Sequence, residues 1–308
     1  MKLLRSCLPV FFLGLLLLVA GCGKRELSPS GKLNIVTTVG MVTDIVERVA
    51  GDDAVVIPLM GPGVDPHLYK ASYRDVSKLD QADIVFYSGL HLEGKMTSIL
   101  EKMARQKAVV AVAEAIPESL RRSPPQFKGH YDPHVWMDPS LWAYTLIPIT
   151  AELSKARPEH AALYQARAES LAVEFANLYE WARLELATIP DERRVLITAH
   201  DAFGYFGQAF DVKVEGLQGI STATEFGLAD VTRLVELISH RGIKAVFVES
   251  SVPRKPLEAV IAGCRARGHN VVIGGELYSD AMGEPGTDDG TYFGMIRHNV
   301  TTIVEALR

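Results

Sequence analysis

Residues 157–188 read RPEHAALYQARAESLAVEFANLYEWARLELAT, and this stretch decides the fold. Pro158 suits the first turn of a helix, where its missing N–H has no intrahelical partner to lose. No further Gly or Pro intervenes before Pro190. Tyr164, Ala168, Leu171, Phe175, Leu178, Ala182 and Leu186 recur at steps of three and four, which makes one apolar stripe. Glu159, Arg167, Glu174, Asn177, Glu180 and Arg183 fall off that stripe. At about 1.5 Å per residue the helix would run roughly 45 Å, longer than a domain of ~100 residues needs for its own core. With strand–helix alternation on both sides, it reads as a rigid spine joining two lobes. The alternative is a long surface helix of a single domain.

On the amino-terminal side, apolar runs rich in β-branched residues at 33–38, 54–59, 83–87 and 108–112 alternate with helical patterns at 41–49, 72–81 and 93–106. A connector with several prolines (116–129) and a helix at 139–155 close that half. On the carboxy-terminal side, strands at 194–198, 212–217, 244–249 and 270–273 alternate with helices at 202–209, 228–241 and 256–267, before a final helix at 292–307. This pattern predicts an α/β fold of two lobes, each a parallel sheet flanked by helices, joined by one long backbone helix. The expected boundaries are 32–156 for the first lobe, 157–189 for the linking helix and 190–308 for the second lobe.

The first residues are separate. Lys2 and Arg5 precede an apolar run at 8–20, which is too short to span a bilayer but matches a secretory signal. It ends Val19-Ala20-Gly21-Cys22, which looks like a bacterial lipobox. Cleavage after residue 21 would leave a diacylglycerol on the Cys22 sulfur, with 22–31 as a flexible tether; a plain signal peptide cut nearby is the alternative. Either way the mature chain is expected outside the cytoplasm, in the periplasm or on the outer face of the cytoplasmic membrane. Cys264 then stands alone in the folded part, so an internal disulfide is not available and the fold must rely on its core. Loss of residues 1–21 leaves 30 basic against 37 acidic side chains, a net charge of −7. That balance argues against a nucleic-acid partner and is compatible with a cationic ligand.

Ligands of open α/β sheets gather beyond the carboxyl ends of the strands, and this rule sorts the nine histidines. His67 lies in the loop after the second strand. His134 precedes a helix, His200 follows the strand at 194–198, and Asp280 lies after the strand that reaches about residue 274. Imidazole nitrogens and one carboxylate are what a borderline divalent metal prefers. Asp-Pro-His occurs twice, at 65–67 and 132–134, and the proline stiffens the approach to each ring. His160, His240 and His269 read as helix-end or surface residues; His91 and His298 are harder to place, since either could be a buried structural histidine; and His130, close to His134, reads as a solvated loop residue, with transient metal contact as the alternative.

Together, GVDPHLY at 63–69, DPHVW at 132–136, TAHDAFGYF at 198–206, LQGIST at 217–222, FVESS at 247–251 and GGELYSDAM at 274–282 resemble the zinc- and manganese-type solute-binding lipoproteins of bacterial ABC importers, the TroA-like class. The resemblance spans the mature chain. It implies metal ligands at His67, His134, His200 and Asp280, with Zn²⁺ first and Mn²⁺ or Fe²⁺ next as the transported ion. It also implies an ABC permease with its cytoplasmic ATPase as partner, a lipid anchor at Cys22, and a monomer. Manganese-preferring members often carry glutamate where this chain has His200, and the long histidine-rich loop of many zinc receptors is absent from 118–129.

Four donors fill the positions of a closed zinc site, whereas a catalytic zinc keeps one for water; a binding protein is expected, not an enzyme. Asp65, Asp201 and Glu249 are candidates to support the ligands from behind. Affinity should fall as the imidazoles protonate below about pH 6.5. Two other readings are a surface adhesin and a metallohydrolase, although neither His-Glu-x-x-His nor Gly-x-Ser-x-Gly occurs in the sequence.

Overall fold

In the computed structural model, which describes residues 31–308, the stripe on the long helix is buried in full: the same seven side chains, Tyr164 to Leu186, are the buried ones. The signal sequence, Cys22 and the tether up to residue 30 lie outside the described residues. The first half runs β1 (Leu33–Thr37), α1 (Gly40–Ala50), β2 (Ala54–Pro58), α2 (Tyr73–Gln81), β3 (Ile84–Tyr87), α3 (Thr97–Ala104) and β4 (Ala108–Ala111). It continues through α4 (Pro139–Trp142) and α5 (Leu146–Ala156) into the long helix α6 (Ala161–Leu186). Its four strands form one parallel sheet in the order β2-β1-β3-β4.

The second half runs β5 (Val195–His200), α7 (Gly204–Phe210), β6 (Lys213–Gln218), α8 (Leu228–Arg241), β7 (Ala245–Glu249), α9 (Lys255–Ala266), β8 (Val272–Leu277) and α10 (Tyr292–Leu307). Here the parallel strands form two two-stranded ladders, β5-β6 and β7-β8, with β5 lying beside β7. The fold is therefore α/β with parallel sheets flanked by helices and one long helix.

Three elements depart from the sequence reading for local reasons. The helix expected at 139–155 is interrupted by a 3-10 turn over Ala143–Thr145, which restarts the chain so that Pro148 falls in the first turn of α5, where its lost N–H and its ring are tolerated. Helix α3 begins at Thr97 rather than 93 because the Glu93 side chain is committed to a loop: it accepts the Ser88 N–H at 2.8 Å and the Gly89 N–H at 3.1 Å. Strand β8 continues through Gly274 and Gly275 to Leu277. A Cβ on Gly275 would stand 2.3 Å from the Thr302 methyl of α10, so these glycines permit a helix to press on the strand rather than ending it.

Helix α6 packs against α1, α4 and α5 from the first half and α7 and α10 from the second. Arg167 caps the end of α1 by donating to the Val49 and Ala50 carbonyls at 3.1 and 2.8 Å, and the Tyr179 hydroxyl donates to the Ala209 carbonyl of α7 at 3.2 Å. Phe175 packs its ring 5.3 Å from Tyr292 and 5.1 Å from Phe293, both at the start of α10. A smaller apolar cluster, including Ile197, Leu234, Val248, Leu257 and Val260, lies between the second-half strands and α8 and α9.

Because Phe175 is 1 % exposed and its neighbour Val173 is 61 % exposed on the same helix, Phe175→Ala should cost about 3–5 kcal/mol of unfolding free energy. Val173→Ala should stay within about 0.5 kcal/mol. Denaturant titrations of the two variants check this; comparable losses would mean that the stripe does not carry the packing.

Candidate metal centre

Each of the four side chains is delivered by a strand end or a loop that follows one. His67 lies beyond β2 and His200 is the last residue of β5, not a loop residue as expected from a strand ending at 198. Asp280 comes three residues after β8, and His134 directly precedes the 3-10 turn Val135–Met137. The duplicated Asp-Pro-His segments share a local mechanism. Asp65 Oδ1 accepts the His67 N–H at 2.9 Å and Asp132 Oδ1 accepts the His134 N–H at 3.1 Å, an Asx turn that fixes the histidine backbone.

The structure brings His67, His134, His200 and Asp280 together, with one potential donor atom from each within 4.8 Å of all the others. All four are buried, at 4 % exposure or less. His67 Nε2 stands 3.3 Å from His134 Nε2. Asp280 Oδ1 is 3.3 Å from His134 Nε2, and Asp280 Oδ2 is 3.3 Å from His200 Nε2 and 3.6 Å from His67 Nε2. Both Asp280 oxygens and His200 Nε2 lack a hydrogen-bond partner despite burial. Buried polar atoms are rarely left so, and each such atom calls for a partner. Around an ion with bonds of about 2.0–2.1 Å, the edge of a tetrahedron is about 3.3 Å. The observed spacings match that edge, so the donor set fits a small divalent cation.

Carboxylates behind two of the rings fix which nitrogen faces Asp280. His200 donates its Nδ1–H to Glu249 Oε2 at 2.5 Å and its backbone N–H to Glu249 Oε1 at 2.9 Å. His134 donates its Nδ1–H to Asp132 Oδ1 at 2.8 Å. Each pair leaves Nε2 to face Asp280 and raises its basicity. Of the three expected supporting residues, Glu249 touches a ring. Asp65 holds the His67 backbone and accepts the Thr222 hydroxyl at 2.6 Å from the other half of the chain. Asp201 turns to Gln126 at 3.4 Å. Asp132 was missed, although it occupies the same place in its motif as Asp65. Its other oxygen lies 3.4 Å from Arg122 Nε, and its carbonyl accepts the Tyr205 hydroxyl at 3.2 Å.

Burial works against charge on every ring, and the neighbours decide the outcome. His67 is pushed down to about 3 by burial, which the Asp280 carboxylate only partly offsets. For His134 burial is outweighed by Asp280 and by the hydrogen bond to Asp132, which lift it to about 9. His200 is likewise lifted well above its ordinary value, against burial, by Glu249 and Asp280. Asp280 is held well below the usual carboxylate range because His200 and His134 outweigh its own burial.

The remaining histidines are outside this group. His160 pairs with Asp53 at 2.8 Å, and His269 Nε2 bonds the Ile243 carbonyl at 2.6 Å. His91 is exposed and stacks on His130, and His298 is half-buried beside Asp289 at 3.1 Å, so neither is a buried structural histidine.

The chain is similar to the manganese-binding lipoprotein MntA of Bacillus subtilis, with 50 % identity over 94 % of this chain and 95 % of that one. It is similar to the zinc-binding protein TroA of Treponema pallidum, with 45 % identity over 98 % of each. Among solved structures, the periplasmic zinc-binding protein TroA of Treponema pallidum superposes with a TM-score of 0.88 at 46 % identity, covering 90 % of this chain and 99 % of that one. Fe(III)-bound YtgA of Chlamydia trachomatis does so with a TM-score of 0.81 at 26 % identity, covering 90 % and 98 %. Residues 35–306 match the family described as zinc-uptake complex component A, periplasmic, or ZnuA. The chain belongs to the ZnuA family.

Proposed function

We propose that this chain is the extracytoplasmic receptor of an ABC-type metal importer. It takes a divalent transition ion between its two halves, residues 32–156 and 190–308, and delivers the ion to the permease and its cytoplasmic ATPase. In this reading the ligands are His67, His134, His200 and Asp280, and a lipid on Cys22 keeps the receptor at the membrane. The observation that carries the proposal is the buried quartet whose Asp280 oxygens and His200 Nε2 face one another without hydrogen-bond partners. Four protein donors leave no position for an activated water, which supports a receptor rather than a metallohydrolase.

Zinc is the preferred cargo in this proposal, with manganese second and ferrous iron third, because three nitrogen donors hold Zn²⁺ more tightly than Mn²⁺ or Fe²⁺. Identity to named relatives does not rank the metals, since proteins named for manganese and for zinc are similar to this chain to nearly the same degree. Metal analysis of protein purified from its own host without added metal tests the assignment. Wild-type protein should carry one tightly held ion, zinc before manganese. His67→Ala and His134→Ala should each weaken binding by more than about 100-fold. His200→Glu should shift relative affinity from zinc toward manganese, as oxygen replaces nitrogen. Full metal content in both alanine variants would remove the ligand assignment.

The carboxylates behind the rings move the pH window upward from the ordinary imidazole range. His134 at about 9 and His200 well above 6.5 hold protons at neutral pH in the metal-free protein. A metal takes only the neutral ring, so binding at pH 7 should release about two protons per ion. Affinity should rise toward pH 9 and fall by more than one decade per unit below it. Calorimetry in buffers of different ionisation enthalpy reads the proton count; no release would refute this linkage. Glu249→Gln keeps shape but removes the anion behind His200. It should cost about 10–100-fold in affinity and reduce the proton release measured in the same titration; an unchanged count would separate Glu249 from the metal.

A further inference from the structure

The duplicated Asp-Pro-His segments share more than their turns. In each, the aspartate spends Oδ1 on the N–H of the histidine two residues on, which leaves Oδ2 for a neighbour outside the segment. Asp65 Oδ2 accepts the Thr222 hydroxyl at 2.6 Å, and Thr222 lies between β6 and α8, in the second half of the chain. Asp132 Oδ2 lies 3.4 Å from Arg122 Nε. Arg122 belongs to the first half but is fastened to the second. Its guanidinium donates to the Gly204 carbonyl and stands 5.7 Å from the centre of the Tyr205 ring, and its backbone N–H donates to the Tyr205 hydroxyl at 2.8 Å. A Cβ on Gly204 would stand 2.6 Å from that guanidinium, so the start of α7 is shaped to receive it. An Asx turn needs only one carboxylate oxygen. In both segments the other is met by the second half, or by a residue fastened to it.

We propose that Asp65 and Asp132 couple the aim of their histidines to the seating of the second half. Thr222 and Arg122 are the positioning residues of this device, each acting on one ring of the quartet through one aspartate. Parting the halves at this seam draws Thr222 from Asp65 and Arg122 from Asp132. Both carboxylates are then free to turn off their histidines, and His67 and His134 slacken in one movement. The second-half donors are supported from within their own half. His200 gives its backbone N–H and its Nδ1–H to Glu249, which ends the neighbouring strand. The Asp280 loop is pinned by Asn299 of α10, whose side chain accepts the Tyr278 N–H at 2.9 Å and donates to the Tyr278 carbonyl at 2.7 Å. Release of an ion is thus set off at the first-half rings, by a pull on groups that are not ligands. That use of the coupling rests on the receptor function proposed above; the coupling itself does not.

Two measurements on the mature full chain test this with Thr222→Val and Arg122→Gln, both at half-buried positions outside the apolar core. In the metal-free protein, residue-resolved hydrogen exchange should quicken about tenfold at the His67 amide in Thr222→Val and at the His134 amide in Arg122→Gln, each without change at the other. The His200 amide, held by Glu249, should keep its rate in both. With one Zn²⁺ bound, transfer to excess EDTA should be about tenfold faster in either variant, while the association rate stays within about threefold. Thr222→Ser should restore both slow rates. Arg48→Gln removes a different contact between the halves, the guanidinium 4.9 Å from the centre of the Phe293 ring, and should move neither rate. Unchanged exchange at both amides, or quickening spread over all three, overturns the coupling. Quickened exchange with an unchanged zinc off-rate overturns its part in release. A wild type that holds no tight Zn²⁺ would end the receptor reading, while the amide rates would still decide the coupling.

Discussion

The rest of the structure depends on a buried carboxylate faced by imidazole rings. Asp280 is 1 % exposed, and its oxygens are faced by three imidazole Nε2 atoms at 3.3 to 3.6 Å. Taking an anion out of water costs several kcal/mol even after relaxation, unless opposite charge is supplied nearby. His134 and His200, each backed by a further carboxylate, are shifted toward the protonated form and so supply such charge. A 2+ ion at the same place performs the same neutralisation. In the proposed receptor a 2+ ion would replace those protons, so the charge sum around Asp280 would stay the same in either state.

Charge balance alone would not hold three rings and a carboxylate in register; the backbone does that. His200 and Glu249 end neighbouring strands, so their pairing is set by strands rather than by a mobile loop. The two Asx turns aim His67 and His134 by hydrogen bonds within three residues. Contacts between the chain halves then tie loop to loop at the centre itself. Thr222 reaches Asp65, Tyr205 reaches Asp132, and the Trp136 indole donates to the Ser279 carbonyl at 2.9 Å, next to Asp280. Behind them α6 is packed along one buried stripe that runs its length. An ion leaving such a site meets resistance first from these short loop contacts. Small loop shifts therefore demand less rearrangement than a hinge that bends a 26-residue helix.

Much of this was legible in the sequence because it is periodic or because a strand end is a natural place for a ligand. The stripe of α6 and the four donors are both of that kind. What escaped depends on atoms that meet across the fold. Pro148 divides a helix whose apolar pattern runs on regardless, and Gly274–Gly275 reads as a terminator until α10 is seen pressing on it. Asp132 and Asp201 are alike as acids beside ligand motifs, and only one turns toward a ring. The duplicated Asp-Pro-His did contain a usable signal: a role given to Asp65 should have been extended to Asp132. His91 could not be placed at all, since its exposure follows from a left-handed turn that no periodicity encodes.

Relatives with manganese, zinc and iron in their names share this fold, so the fold alone does not choose the ion. The choice is left to the donors and to what stands behind them. In this chain both supported rings are paired with anions, which makes their nitrogens better donors and also better proton acceptors. Those two effects oppose each other at neutral pH: the stronger the Glu249–His200 pair, the tighter the metal and the more firmly the competing proton is held. Among divalent first-row ions the affinity order places zinc above manganese and ferrous iron in that competition. Proton competition lowers the apparent affinity of every ion at this set of ligands by the same factor, so the preference among ions stays the one that nitrogen donors set.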